Sequence, residues 1–284
     1  MASPPPAIFD RALRRRRRDR ATPGWTRHDF LRAQMLELID DRLAAVKRTF
    51  RDVLDLGCFD GGWTPPPGAR VARLDPGFCF ARASGGVQGE EDRLPFADGS
   101  FDLVVSAGVL DQVEDVPGAL ILARRALRPD GLFLGAFLGA GSLPALRAAL
   151  RTAEGDRPAA RLHPQVDVRA AGELLVRAGF ALPVADTETL TVRYPHLFRL
   201  AEDLRGMAAG NLLASRAPLS RTTLARAAEA FAAGADPDGR VPERFAIVTL
   251  TGWSPAPDQP QPARRGSGTA SLAAVLKREG GPTG

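Results

Sequence analysis

The most chemically suggestive stretch of the chain is a carboxylate at the end of a strand-like run, followed at once by glycines. Val53-Leu54-Asp55-Leu56 reads as a short buried strand, and Gly57-Cys58-Phe59-Asp60-Gly61-Gly62-Trp63 follows it. In open parallel sheets, ligands sit beyond the carboxyl ends of the strands. Glycine there adopts positive φ and lets the backbone approach a ligand closely. Two cofactors suit this construction. A dinucleotide asks for G-x-G-x-x-G to hold its pyrophosphate. S-adenosylmethionine carries no phosphate, and its usual signature is an acid followed by G-x-G-x-G. Asp55, Gly57 and Gly61 fit the second pattern, with Phe59 where the middle glycine belongs. The dinucleotide pattern threads through Gly57, Phe59 and Gly62, with the same residue out of place.

The flanking blocks favour the second cofactor. Asp75 ends a second strand-like run, Val71–Leu74, where a carboxylate can accept both ribose hydroxyls. Glu90 and Glu91 precede Leu94-Pro95-Phe96, a position from which an acid can face the adenine amino group. Phe101-Asp102-Leu103-Val104-Val105 and Leu127-Arg128-Pro129-Asp130-Gly131 follow. Asp111, after the fourth strand, reads as a loop acid with a weaker claim to be a general base. Cys58 reads as small buried packing. His28, His163 and His196 lack metal-ligand spacing; the one grouping that offers two imidazoles and a carboxylate is His163, Asp167 and His196.

Elements of an α/β domain must position these residues. Strands are expected at 53–56, 71–74, 86–88, 101–106 and 132–137, and a helix at 116–127. Alternation of short apolar strands with helices indicates a parallel sheet. Two N-terminal helices, near 8–20 and 28–49, precede it. In the second half, helices are expected at 141–154, 168–178, 196–207 and 221–233, and strands at 184–193 and 245–252. The expected division is 1–49 for the basic and amphipathic helices, 50–253 for the sheet domain with a helical insertion, and 254–284 for a Pro- and Gly-rich tail with a short helix near 270–277.

Composition narrows the class. The chain has 284 residues, 44% hydrophobic and 25% charged, which are globular values. No apolar run reaches the ~18 residues of a membrane helix. Two cysteines fit a reducing compartment, and the N-terminus lacks the apolar centre of a secretory signal. Residues 11–20 hold seven arginines and one aspartate, a net +6 against +5 for the whole chain, so the remainder sums to −1. A nucleic-acid enzyme would spread its basic residues over a face. A single basic segment reads instead as a solvated helix face or a docking element.

In this order and spacing the motifs resemble class I S-adenosylmethionine-dependent methyltransferases. Ile8-Phe9-Asp10-Arg11-Ala12-Leu13, Ala178-Gly179-Phe180, Tyr194-Pro195, Glu202-Asp203-Leu204-Arg205-Gly206-Met207 and Pro262-Ala263-Arg264-Arg265 resemble the mitochondrial complex I assembly factor 5 family and its bacterial relatives. The resemblance implies a Rossmann-like fold and S-adenosylmethionine as cofactor. Held by Asp55, Gly57, Phe59, Gly61, Asp75, Glu90 and Glu91, the cofactor would serve methylation (a transferase) or arginine hydroxylation on a complex I subunit. It makes Tyr194 a candidate substrate-pocket residue. A small-molecule substrate is the rival, as is a non-catalytic assembly factor. The expected location is the cytoplasm, or the mitochondrial matrix if the source has mitochondria, with peripheral membrane contact possible. Phe59 crowds the methionine end, and Pro65-Pro66-Pro67 predicts that the helix after the first strand is shortened or lost. Asp111-Gln112 stand where the family often has His-Trp.

Overall fold

The computed structural model describes residues 6–156 and 159–259. The short helix expected near 270–277 lies outside them. Helix α1 (Arg11–Ala21) is capped by Asp10, whose side chain accepts from the Leu13 N–H, and runs through a 3-10 turn, Thr22–Arg27, towards α2 (Phe30–Ala44). Next come β1 (Asp52–Leu56), β2 (Arg70–Asp75), α3 (Phe78–Ala83), β3 (Val87–Gln88), β4 (Phe101–Ala107), α4 (Val116–Ala126) and β5 (Leu127–Leu138). The second half adds α5 (Pro144–Glu154), α6 (Val168–Arg177), β6 (Ala181–Tyr194), α7 (Leu197–Gly206), α8 (Arg221–Ala232) and β7 (Val241–Trp253).

The seven strands form one sheet in the order β3-β2-β1-β4-β5-β7-β6. β3 to β5 are parallel, while β7 runs antiparallel to β5 and β6 antiparallel to β7. This is the α/β Rossmann-like sheet expected from the sequence. Its strand order reverses between β1 and β4, which opens a crevice at their carboxyl ends. Val53, Leu54, Leu103, Val104 and Val105 are fully buried there because both sheet faces are covered. One face packs on α2, α5, α7 and α8, the other on α4 and α6.

The expected loss of a helix after β1 is complete: no helix lies between Gly62 and Ala69. Three prolines remove backbone donors and fix φ. Trp63 closes the gap, buried in the core, with its indole N–H donating to Asp40 of α2 at 2.9 Å. Three elements differ from the sequence expectation: the 3-10 turn at Thr22–Arg27 contains Pro23-Gly24 and reads as a loop, α3 is only six residues long, and a second 3-10 turn, Leu110–Gln112, carries Asp111 where a loop is expected.

Candidate functional site: an acidic cradle closed by arginines

The turn after β1 has the conformation its glycines suggest. Gly57 has φ +77°, and a Cβ there would come within 2.4 Å of Val109, so no other residue fits without a shift. Gly61 has φ +74°. Phe59 also lies in the left-handed region, at φ +51°, which costs a residue with a Cβ roughly 1–2 kcal/mol. Its ring is buried and stacks on Trp25 at a centroid separation of 4.2 Å, with Phe80 edge-on at 5.4 Å. The Arg18 guanidinium lies 3.8 Å from the centroid of the same ring. An aromatic and cationic cluster fills the space beside the turn. The void that remains there is about 30 Å³, far below the ~300 Å³ at which small-molecule sites begin.

The acids singled out in the sequence do converge on this crevice. Asp75 is wholly buried at the end of β2. It accepts from Arg18 Nε and the Gly77 N–H on one oxygen, at 2.9 and 2.8 Å. On the other it accepts from the Phe59 N–H at 2.9 Å and from Arg18 Nη2. A carboxylate offers about four acceptor sites, and Asp75 has four donors. Gly77 makes the approach possible, since a Cβ there would lie 2.8 Å from the Arg18 Cβ.

Glu91 is buried and held in a bidentate pair by Arg14, at 2.6 and 2.7 Å. Glu90 accepts from Arg14 at 3.2 Å and from Arg15 at 2.8 Å, and Asp92 pairs with Arg11. Burial opposes the charge on Arg14, and Glu91 with Glu90 outweighs it, so its pKa stands above the ordinary value. Asp55 is the exception. Its nearest cation, Arg32, is 3.5 Å away. Among the described residues both its oxygens lack a hydrogen bond, and burial pushes its pKa up to about 6.

As the chain is folded, the residues expected to hold S-adenosylmethionine leave it no room. Asp75, expected at the ribose, is saturated; Glu90 and Glu91, expected at the adenine, are paired; and Phe59 with Arg18 fills the position expected for the methionine end. The solvated reading of the arginine run holds for Arg15 and Arg16, which are exposed, and fails for Arg14 and Arg18, which are buried. Residues 11, 14 and 18 advance by three and four and so share a face of α1, and that face is buried because Asp92, Glu91 and Asp75 meet it. Asp19, on α1, accepts from the Cys79 N–H at 2.8 Å and so joins α1 to the start of α3.

The weaker candidates separate. Asp111 borders both the small void and a larger cavity, and burial pushes its pKa up to about 6 against the pull of Arg14 and Arg18. Tyr194 is buried at the end of β6 beside a different cavity, with Phe30, Arg199 and Asp203, so it does not meet Asp111. Burial also pushes the Cys58 thiol up to about 12, in keeping with a packing role. Each histidine has a structural partner: His28 meets Asp203 at 2.8 Å, His163 accepts from the Leu212 N–H at 2.9 Å, and His196 caps α7.

A profile described as a methyltransferase domain matches residues 27–183. The arginine-hydroxylase NDUFAF5, mitochondrial, of Homo sapiens is 35% identical over 288 residues, covering 95% of this chain and 84% of that protein. A malonyl-[acyl-carrier protein] O-methyltransferase of Laribacter hongkongensis is 34% identical over 194 residues, covering 67% and 62%. In fold, the YcgJ protein of Bacillus subtilis superposes with a TM-score of 0.56 at 16% identity, over 79% of this chain and 99% of that one. The chain belongs to the methyltransferase-domain family and is a relative of the mitochondrial arginine-hydroxylase NDUFAF5 proteins.

Proposed function

We propose that the chain acts on a protein partner of the respiratory complex I class as a binding and assembly factor. In this reading its cofactor cradle is held shut by its own arginines. The partner class follows from the resemblance to complex I assembly factor 5 and from the names of its relatives. The observation that carries the closed cradle is the saturation of Asp75, with Arg18 and two backbone amides on its two oxygens. A ribose could bind only by displacing a fully buried guanidinium. Breaking a buried pair of this kind costs about 3–5 kcal/mol, which offsets most of the ~3–6 kcal/mol that two charge-assisted ribose bonds would return. The location that goes with this reading is the cytoplasm, or the matrix if the source has mitochondria.

A second reading is an S-adenosylmethionine-dependent transferase, or a hydroxylase, that works once α1 has left the crevice. The observation favouring it is that Asp55, Asp75, Glu90 and Glu91 all persist around one crevice in a chain of the methyltransferase family. Titration calorimetry with S-adenosylmethionine and S-adenosylhomocysteine separates the two. The first reading expects no saturable heat at millimolar ligand with the intact chain, and binding in the Arg18→Ala, Phe59→Gly double variant. Tight saturable binding to the intact chain overturns it and establishes the second. Intact-mass analysis of a co-expressed partner then distinguishes a gain of one oxygen, a gain of CH₂ and no change.

A further inference from the structure

A cavity of about 1000 Å³ lies between α1 and the helical insertion, at the upper end of the range for small-molecule sites. Its apolar wall comes from α5 and α7, with Leu143, Leu146, Leu197 and Leu204. Its charge is one-sided. Arg17, Arg20, Arg27 and Arg205 line it, and none of these four is in an ion pair among the described residues. Arg161 and Arg216 also border it, but they are balanced by Glu154 and Asp10. Asp111 is the only carboxylate in the described lining.

Arg17 is the most informative of the group. Its Nη1 is buried without a hydrogen-bond partner among the described residues. It sits where a Cβ on Gly210 would come within 2.6 Å, so the glycine leaves room for the guanidinium against the backbone. Burial, and then the neighbouring Arg216 and Arg20, lower its pKa. The carboxylate that acts on Arg17, Asp10, is already paired with Arg216, so a half-buried cation beside other cations lacks an anion of its own.

We infer that this cavity binds a small amphiphile with an anionic head, carboxylate or phosphate, and a single apolar chain. The head meets Arg17, Arg20, Arg27 and Arg205, and the chain lies along the leucines of α5 and α7. The same field repels a guanidinium, so an arginine side chain is not what the cavity takes. Residues 260–284 carry Arg264, Arg265, Lys277 and Arg278 against Glu279, so charge also disfavours that segment as occupant.

The test uses the intact chain and four twelve-carbon probes below their micelle concentrations: laurate, dodecyl phosphate, dodecyltrimethylammonium and dodecyl maltoside. Calorimetry is expected to show saturable one-to-one binding of the two anionic probes, weakened by salt. The cationic probe should bind at least about tenfold more weakly, the value of one lost charge-assisted bond. Tighter binding of dodecyl phosphate than of laurate assigns a phosphate-headed source, and the reverse a fatty acid. The Arg27→Ala, Arg205→Ala double variant removes only exposed side chains, so it is expected to fold and to lose about tenfold in anion affinity. Equal binding of all four probes, no binding at all, or an unaffected double variant overturns the proposal. So does selective binding of an acidic peptide in place of laurate.

Discussion

Asp55 and Asp75 are both buried acids at the mouth of one crevice, and their surroundings set them apart. Asp75 ends β2 within reach of Arg18 and two backbone amides, so its charge is fully met. Asp55 faces the core from β1, with Arg32 too distant for a hydrogen bond. Burial raises its pKa to about 6 from the ordinary 3.8, against the opposing pull of Arg32 and Arg73. The folded chain thus holds this proton more tightly than the unfolded chain. Between about pH 4 and pH 6 the folded state binds more protons at this site, and its contribution to stability falls as pH rises through that window. Asn keeps the shape and does not titrate. The stability of Asp55→Asn relative to the parent should therefore rise by on the order of 2–3 kcal/mol from pH 4 to pH 7. Urea denaturation at the two pH values reads this difference directly. A constant difference would show that Asp55 stays ionised throughout, with Arg32 carrying its charge.

At the scale of elements, the missing helix after β1 is replaced rather than merely lost. Phe59, Trp63 and the 3-10 turn bring aromatic rings to the face such a helix would have covered, and α2 supplies Met35 and Ile39. Trp63 ties the proline loop to α2 through Asp40. Removing its buried side chain in Trp63→Ala should cost about 3–5 kcal/mol, whereas Asp40→Ala removes one hydrogen bond and should cost about 1 kcal/mol. Equal, small costs in chemical denaturation would mean that the loop does not serve as a packing element. Much of this was legible in advance. β1, β4 and β5 announce themselves as apolar runs because they are covered on both faces, and the prolines forbid a helix whatever surrounds them. The acids of the crevice were legible as well, because they sit at strand ends. Their partners were not. Arg14 and Arg18 look like surface residues in the sequence, and they are buried only because Glu91 and Asp75, many residues away, meet them in the fold. The 3-10 turn escaped for a different reason: Pro23-Gly24 carries a turn signal, and only the ring of Trp25 against Phe59 makes the segment part of the core.

At the scale of the molecule, α1 joins two parts that the sheet alone does not connect. On one side it holds the carboxyl edge of β2 and the loop after β3, through Arg18 and Arg14. On the other, the segment that leads into it pairs with the helical insertion, where the Asp10 N–H donates to Leu212 O and the Ala214 N–H to Ile8 O. Glu114 accepts from the N–H groups of Ile8 and Phe9 at 2.8 Å each. Opening α1 would strand three buried acids, Asp75, Glu90 and Glu91, and expose Phe59 and Trp25, so it should not occur as a cheap local event. Native-state hydrogen exchange tests this without any substitution. Amides of α1 are expected to exchange with an opening free energy within about 1 kcal/mol of those in β1 and β4, which report global unfolding. Millimolar S-adenosylmethionine should leave both sets unchanged, because a ligand stabilises only a state that binds it. The contrary result is equally definite. If α1 exchanges several kcal/mol more cheaply than the strands, and the cofactor alters its protection, then α1 is a lid over a working site and the closed cradle is its resting state.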